Sequence, residues 1–225
     1  MQTQLSAIAP DIVCLQEAFA PEMAHLLAEA CDLQHRAVER LPGLEVLSCY
    51  PILSHQTVPY RVKSPHETHD RRLMLTLIDS SSAASLRIGC THLSWKADDE
   101  PTRITQVDGL FEAARALAAS PLLIGGDFNA MPESEPMRRL HDAGFVEVFA
   151  KLHPHEPGYT WDNWNPFIQS HSTHFPDRRI DYLRLNSCAA AQYHIPRCDV
   201  VLNTPDVNGV YPSDHYGVLG ELNHV

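Results

Sequence analysis

The chain has 225 residues, of which 44% are hydrophobic and 20% charged, and a formal net charge of −11. That size and composition fit a single globular domain, residues 1–225, with a sizeable core, and exclude a disordered or fibrous chain. The acidic balance weighs against a long duplex nucleic-acid footprint, which needs a strongly basic surface, but not against a small phosphoester held by a metal ion.

The opening stretch, MQTQLSAIAP, has neither the basic nor the apolar region of a signal peptide, and no apolar run reaches membrane-spanning length. DIVCL (11–15) then reads as a first strand and PEMAHLLAEAC (21–31) as a helix. Strands follow at LEVLSCY (44–50), RLMLTLI (72–78) and SLRIGC (85–90). The longest helix is expected over 99–119, where Ile104, Val107, Leu110, Phe111, Ala114 and Leu117 recur at three- and four-residue steps. Pro101 suits its first turn, with Asp99 and Glu100 beside the positive helix end. Next come a strand at PLLIG (121–125), a helix at 134–144 closed by Gly144, and strands at RIDYLRL (179–185) and YGVLGEL (216–222). Strands interspersed with helices throughout indicate a layered α/β domain. The six cysteines (14, 31, 49, 90, 188, 198) show no C-x-x-C spacing. They read as free thiols of a reducing compartment, hence cytoplasmic, rather than as zinc ligands or disulfides.

Polar residues gather at the ends of these apolar runs. Gln16 and Glu17 follow the first strand, and His92 lies just after the strand at 85–90. PLLIG ends in GGDFN, which carries Asp127 and Asn129; Asp181 lies within its strand; Asp214 and His215 immediately precede the last strand. Any one of these has a plain structural explanation as a solvated strand end, turn residue or cap. As a set on separate strands, they could converge at one sheet edge. Hydrolysis at phosphorus suits such a set: Mg²⁺ takes oxygen ligands, a carboxylate activates water, and a histidine bonds phosphoryl oxygens. In a strand, the side chains of Asp127 and Asn129 would point the same way, and Gly125 and Gly126 would let the chain turn close to a substrate.

In this order, PDIVCLQE, LSCYPILS, THL, GGDFNA, YTWD, RRIDYL and SDHYGV, the sequence resembles the endonuclease/exonuclease/phosphatase superfamily with its DNase I-like fold. The resemblance implies a four-layered α/β/β/α sandwich of two mixed sheets, its active site at one end, and hydrolysis of phosphoesters with Mg²⁺ or Mn²⁺. It implies that Glu17 binds the metal and that Asp214 lies near it, directly or through water. By the same resemblance Asp127 activates the attacking water and Asn129 orients water and phosphate. His215 contacts the scissile phosphate, oriented by Asp181, and His92 binds phosphate or protonates the leaving oxygen. Family members usually begin with a strand ending in an asparagine, followed by a helix leading into the PDIVCLQE segment. Here the sequence starts inside that helix, so the expectation is an N-terminally truncated domain: either the gene product is longer, or this chain is cut short, or it survives without an inner strand, whose loss would leave sheet edges unpaired and apolar surface uncovered.

Two hypotheses result. One is a divalent-metal-dependent phosphoesterase, monomeric, acting on a small, lipid-like or nucleic-acid-end phosphodiester. The alternative is a catalytically impaired family member serving as a binding or regulatory module. Tyr159, Trp161, Trp164 and Phe167 form either a substrate-side wall or a set of core anchors. Arg71, Arg72, Arg178 and Arg179 either hold phosphate or act as surface ion-pair partners. Arg103 and Gln106 are expected to support the sheet. The histidine-rich stretches SPHETHDRR and HSTHFPDRR could offer a zinc site, but no acid or cysteine in them completes a compact ligand set.

Overall fold

A computed structural model describes residues 1–41, 43–80 and 85–225. In chain order the elements are α1 (Gln2–Ile8), β1 (Ile12–Leu15), α2 (Pro21–Ala30), β2 (His35–Glu39), β3 (Leu44–Ser48), β4 (Ile52–Pro59) and β5 (Arg72–Ile78). After β6 (Leu86–His92), one 3₁₀ turn (Ala97–Asp99) leads into α3 (Glu100–Arg115), followed by β7 (Leu122–Asp127), α4 (Glu135–Asp142), β8 (Val146–Glu147) and α5 (Val148–Leu152). The chain closes with α6 (Pro166–Gln169), β9 (Asp181–Leu185), α7 (Ser187–Gln192), β10 (Tyr193–Val201) and β11 (Gly217–His224).

One six-stranded mixed sheet runs β4-β5-β6-β7-β9-β8, with β6 and β7 its parallel pair. Facing it lie a three-stranded sheet, β1-β3-β2, and the hairpin β10-β11. Period-two alternation builds the layers. Leu73 and Leu75 of β5 pack outward with Val107 and Leu110 of α3 and Met137 and Leu140 of α4. Met74 and Ile78 point the other way, into a core shared with Val46, Ile88, Leu185, Ile195 and Cys198 between the sheets. Leu47, adjacent to Val46, joins Leu5, Leu27 and Ala28 beneath α1 and α2. The result is the four-layered α/β/β/α sandwich of a DNase I-like fold. Among the described residues β1 and β11 are the end strands of their sheets, and both border one cleft of about 1,210 Å³.

Several boundaries move. The helix expected over 99–119 ends as α3 at Arg115, before a run of turns. His92 closes β6 rather than following it, because its register against Asp127 continues the parallel ladder. All six cysteines are free thiols.

The glycines before Asp127 serve strand packing, not a turn toward substrate. A Cβ on Gly126 would lie 2.1 Å from the Thr91 carbonyl oxygen, so β6 and β7 approach too closely there for a side chain. No helix among the described residues is long and apolar enough to cross a membrane.

Candidate active site

Register in the six-stranded sheet assembles the centre of the site. His92 pairs with Asp127 across β6 and β7, and Asp127 pairs with Asp181 across β7 and β9. Three polar residues thus stand side by side at one end of three adjacent strands, just where each apolar run stops. His215 arrives from the segment before β11 and its Nδ1 meets Asp181 Oδ2 at 2.9 Å. Asp127, Asp181 and His215 bring one potential ligand atom each to within 4.8 Å of one another.

The 158–167 loop holds His215 in place. Thr160 accepts hydrogen bonds from the backbone of Ile180 and Asp181 through its hydroxyl, while its carbonyl accepts from the Tyr216 N–H at 2.8 Å. Asn165 donates to the carbonyl of Ser213 at 2.7 Å. Trp161, buried, presents its ring edge-on to His215 and also to His171, each at 5.1 Å between ring centroids.

Asp127 is saturated with donors. Its Oδ1 accepts from the Asn129 N–H at 2.7 Å, and its Oδ2 from Asn129 Nδ2 at 3.0 Å, with His92 Nε2 at 3.3 Å. Asn129 also donates to the Leu93 carbonyl at 3.1 Å. The two side chains meet, but not by strand alternation: β7 ends at Asp127, and Asn129 folds back with a left-handed φ of 48°. His92 is buried, with one ring nitrogen engaged by Asp127 and its Nδ1 without a hydrogen-bond partner.

Protonation follows from this packing. Burial pushes the Asp127 carboxyl up, but the hydrogen bond and charge of His92, the charge of His215 and the Asn129 N–H outweigh it and hold it well below the usual carboxylate range. Burial, with Asp127 as a like-charged neighbour, raises Asp181 despite the opposing pull of His215. Burial disfavours the His215 imidazolium, yet Asp181, Asp127 and Asp214 prevail and lift it to about 10. A histidine raised in this way contributes most to stability below its unfolded value of about 6.5 and loses that contribution as pH climbs through 10. In NMR titrations of the protein in EDTA, the His215 ring should therefore stay protonated through pH 8. Asp181→Asn should move its midpoint below that of the wild type by at least one pH unit; an unmoved midpoint would contradict the pairing.

The remaining expected residues border the same cleft: Glu17, His92, Asp127, Asn129, Asp181, Asp214 and His215 all line it. Glu17 lies exposed just beyond β1 in a left-handed conformation, φ 55°, a strain that a non-glycine residue adopts only when its surroundings enforce it. Its carboxylate has no hydrogen bond or ion pair among the described residues. Asp214 Oδ1 accepts from Ser213 Oγ and the His215 N–H, both at 3.1 Å, and Oδ2 faces His171 Nε2 at 3.2 Å. Glu17, Asp127, Asp181 and Asp214 are hard oxygen donors of the kind a Mg²⁺-type cation takes, and the two outside the Asp127–Asp181 pair, Glu17 and Asp214, are the more exposed.

Other expectations need correction. Of the four loop aromatics only Trp161 lines the cleft, together with Trp95, Phe175 and several tyrosines, whereas Tyr159, Trp164 and Phe167 are exposed away from it. Arg71, Arg178 and Arg179 are buried rather than on the surface. Arg71 pairs with buried Glu67 at 2.6 Å. Arg178 lies 4.9 Å from the Trp161 ring centre and 3.7 Å from that of Phe175, and burial lowers it to about 10. Arg103 and Gln106 hold the loop after His92, through the carbonyls of Ser94 and Lys96 and the Ser94 N–H, rather than the sheet. Asp98 and Asp99 do come within 4.8 Å of His66, so its stretch has acids beside it after all. His171, with its Asp214 and Trp161 contacts, did not stand out in the sequence, since nothing in HSTHFPDRR distinguishes it from His174.

The comparisons bear on the same geometry. Residues 2–215 match the model of the Endonuclease/Exonuclease/phosphatase family. No curated protein matches the sequence. Among solved structures, D. rerio TDP2 in complex with a single-strand DNA product superposes with a TM-score of 0.79 at 19% identity, covering 97% of this chain and 88% of that one. The human Nocturnin catalytic domain with a bound sulfate superposes with a TM-score of 0.70 at 18% identity, covering 97% and 82%. A functionally unknown conserved protein from Enterococcus faecalis V583 gives 0.72 at 15% identity, covering 98% and 91%.

Proposed function

The chain belongs to the endonuclease/exonuclease/phosphatase family, and from that premise we propose that it is a divalent-metal-dependent phosphoesterase that hydrolyses a phosphodiester by attack of activated water. The observation that carries the reading is the convergence of Asp127, Asp181 and His215 to within 4.8 Å in a cleft also bordered by Glu17, Asn129 and Asp214. Glu17 and Asp214 would hold Mg²⁺ or Mn²⁺, which when bound supplies charge neutralisation at the phosphoryl oxygens.

The chain's own residues do the rest. Asp127, kept ionised by His92, His215 and Asn129, aligns the water and accepts its proton. Asn129, tied to Leu93 and Asp127, fixes that carboxylate's orientation. His215, charged beside Asp181, donates a hydrogen bond to a phosphoryl oxygen, where negative charge grows in the transition state. His92 holds Asp127 through its Nε2, while its Nδ1 stays buried without a partner. The net charge of −11 favours a small, lipid-like or nucleic-acid-end substrate over long duplex DNA. We place the protein, as a single domain, in the cytoplasm on its free thiols.

Hydrolysis of bis(p-nitrophenyl) phosphate tests this. EDTA should lower the rate by about 100-fold or more, Mn²⁺ or Mg²⁺ should restore it, and Glu17→Gln should demand more metal for the same rate. A rate indifferent to EDTA and to Glu17→Gln would favour the second reading, a binding or regulatory module. What supports that reading is β1, which leads into Glu17 and, among the described residues, is paired on one side only.

A further inference from the structure

The histidine-rich stretch SPHETHDRR, between β4 and β5, meets acids through the fold that its own sequence does not supply. His66 Nε2 lies 3.4 Å from Asp98 Oδ2, and one oxygen of Asp99 completes a group whose three ligand atoms fall within 4.8 Å of one another. Asp98 and Asp99 belong to the 3₁₀ turn that leads into α3. None of the three residues borders the cleft that holds Asp127 and His215.

Helix capping does not account for Asp99. It stands at the N-cap of α3, where an aspartate ordinarily accepts a hydrogen bond from the first turn, yet its side chain makes no such bond. Instead it is 3% exposed, with Oδ1 accepting from Ser64 Oγ at 2.8 Å and Oδ2 buried without a hydrogen-bond partner among the described residues. Arg103 acts on it through its charge, but Arg103 Nη1 donates to the carbonyls of Ser94 and Lys96. A buried carboxylate oxygen left unmatched is costly unless a cation faces it. The surroundings of the group are fixed. Ser64 Oγ also accepts from the His66 N–H at 3.1 Å, so one buried hydroxyl orients two of the three residues. Glu67 is not a fourth ligand, since its Oε1 accepts from Arg71 and its Oε2 from Ser94 Oγ. That bond to Ser94 ties the loop before β5 to the loop after His92, which carries both aspartates.

We propose that His66, Asp98 and Asp99 form a cation site separate from the cleft, taking a Zn²⁺-type ion with water completing its shell, and that this ion clips the loop before β5 to the loop after β6. One imidazole and two carboxylates suit such an ion, whereas Mg²⁺ and Ca²⁺ prefer donor sets built from oxygen alone. At zinc's usual bond lengths, ligand atoms stand about 3.3 Å apart in a tetrahedron. His66 and Asp98 are already at that spacing. Asp99 closes the buried end of the site, while the exposed side chains of His66 and Asp98 leave the ion a path from solvent.

The test reads zinc affinity rather than catalysis, so it stands or fails apart from the phosphoesterase reading. Zn²⁺ is titrated into the EDTA-treated, desalted chain in competition with a chromophoric chelator. The wild type should bind a Zn²⁺ ion with micromolar or tighter affinity, and excess Mg²⁺ should not displace it. His66→Ala and Asp98→Asn alter exposed side chains and should fold. Each should weaken binding of that ion by about 100-fold, and Ser64→Ala, which removes only an orienting hydroxyl, by about tenfold. Glu17→Gln/Asp214→Asn, which alters the carboxylates of the cleft, should retain the ion. As a second readout, excess Zn²⁺ should raise the melting temperature of the wild type by several degrees but leave that of His66→Ala unmoved. Three results would overturn the proposal. They are a wild type that binds no Zn²⁺ in this range, full affinity in both His66→Ala and Asp98→Asn, or loss of the ion in Glu17→Gln/Asp214→Asn instead.

Discussion

Asp127→Asn will lower kcat for bis(p-nitrophenyl) phosphate by about 10³-fold, within the range for removing a positioned general base, while KM changes far less. The substitution keeps the shape of the side chain but replaces an acceptor oxygen with an amide that faces donors. Asn129 Nδ2 at 3.0 Å and His92 Nε2 at 3.3 Å both point at Oδ2. One of these contacts must rotate away or be lost, so stability should fall by about 1–3 kcal/mol, the cost of an unsatisfied buried polar group. A thermal melt separates the two effects: the variant stays folded at the assay temperature while its rate collapses. A variant that retains activity within threefold of the wild type would remove Asp127 from the chemistry.

The largest effect on stability is expected at Gly126. A methyl group there would sit 2.1 Å from the Thr91 carbonyl oxygen and 3.1 Å from the Thr91 nitrogen, both backbone atoms of the paired strand. No rotamer change relieves that overlap. The β6–β7 ladder must part at the point where His92 and Asp127 pair in the next rung. Gly126→Ala should therefore cost at least about 3 kcal/mol, at or above the upper end of overpacking. Gly125→Ala is the informative neighbour. Its Cβ would meet side chains, Leu183 Cδ2 at 3.1 Å and Cys14 Cβ at 3.7 Å, which can give. Urea denaturation of the two variants should show a clear difference in midpoint; equal losses would mean that the backbone approach at Thr91 does not govern this strand pair.

The pair of glycines also illustrates what sequence reasoning reached. RLMLTLI matches β5 residue for residue, because a strand buried on both faces shows as an unbroken apolar run. β4 and β10 left no such trace. β4 is an edge strand in ILSHQTVP, mostly exposed, and β10 contains Pro196 and an irregularity between His194 and Arg197. β2, HRAVE, has a single buried residue. The site was legible wherever a polar residue bounded an apolar run at either end, which brought out His92, Asp127, Asp181 and His215. It was not legible where a loop folds across the site: His171 reaches Asp214 only because its segment turns over Trp161. The bend that brings Asn129 back onto Asp127 was hidden as well, since period-two alternation anticipates an extended chain there and not a left-handed residue.

Among the described residues the hairpin of β10 and β11 bonds to no third strand, and the segment carrying Asp214 and His215 leads directly into it. Stability within a fold is uneven, and a hairpin outside the larger sheet opens at lower free energy than a sheet interior. On heating, this hairpin should detach before the six-stranded sheet melts and carry His215 away from Asp181. Inactivation would then be reversible and begin several degrees below the calorimetric transition, so that the chain's working temperature is set by its least-tethered corner and not by its core.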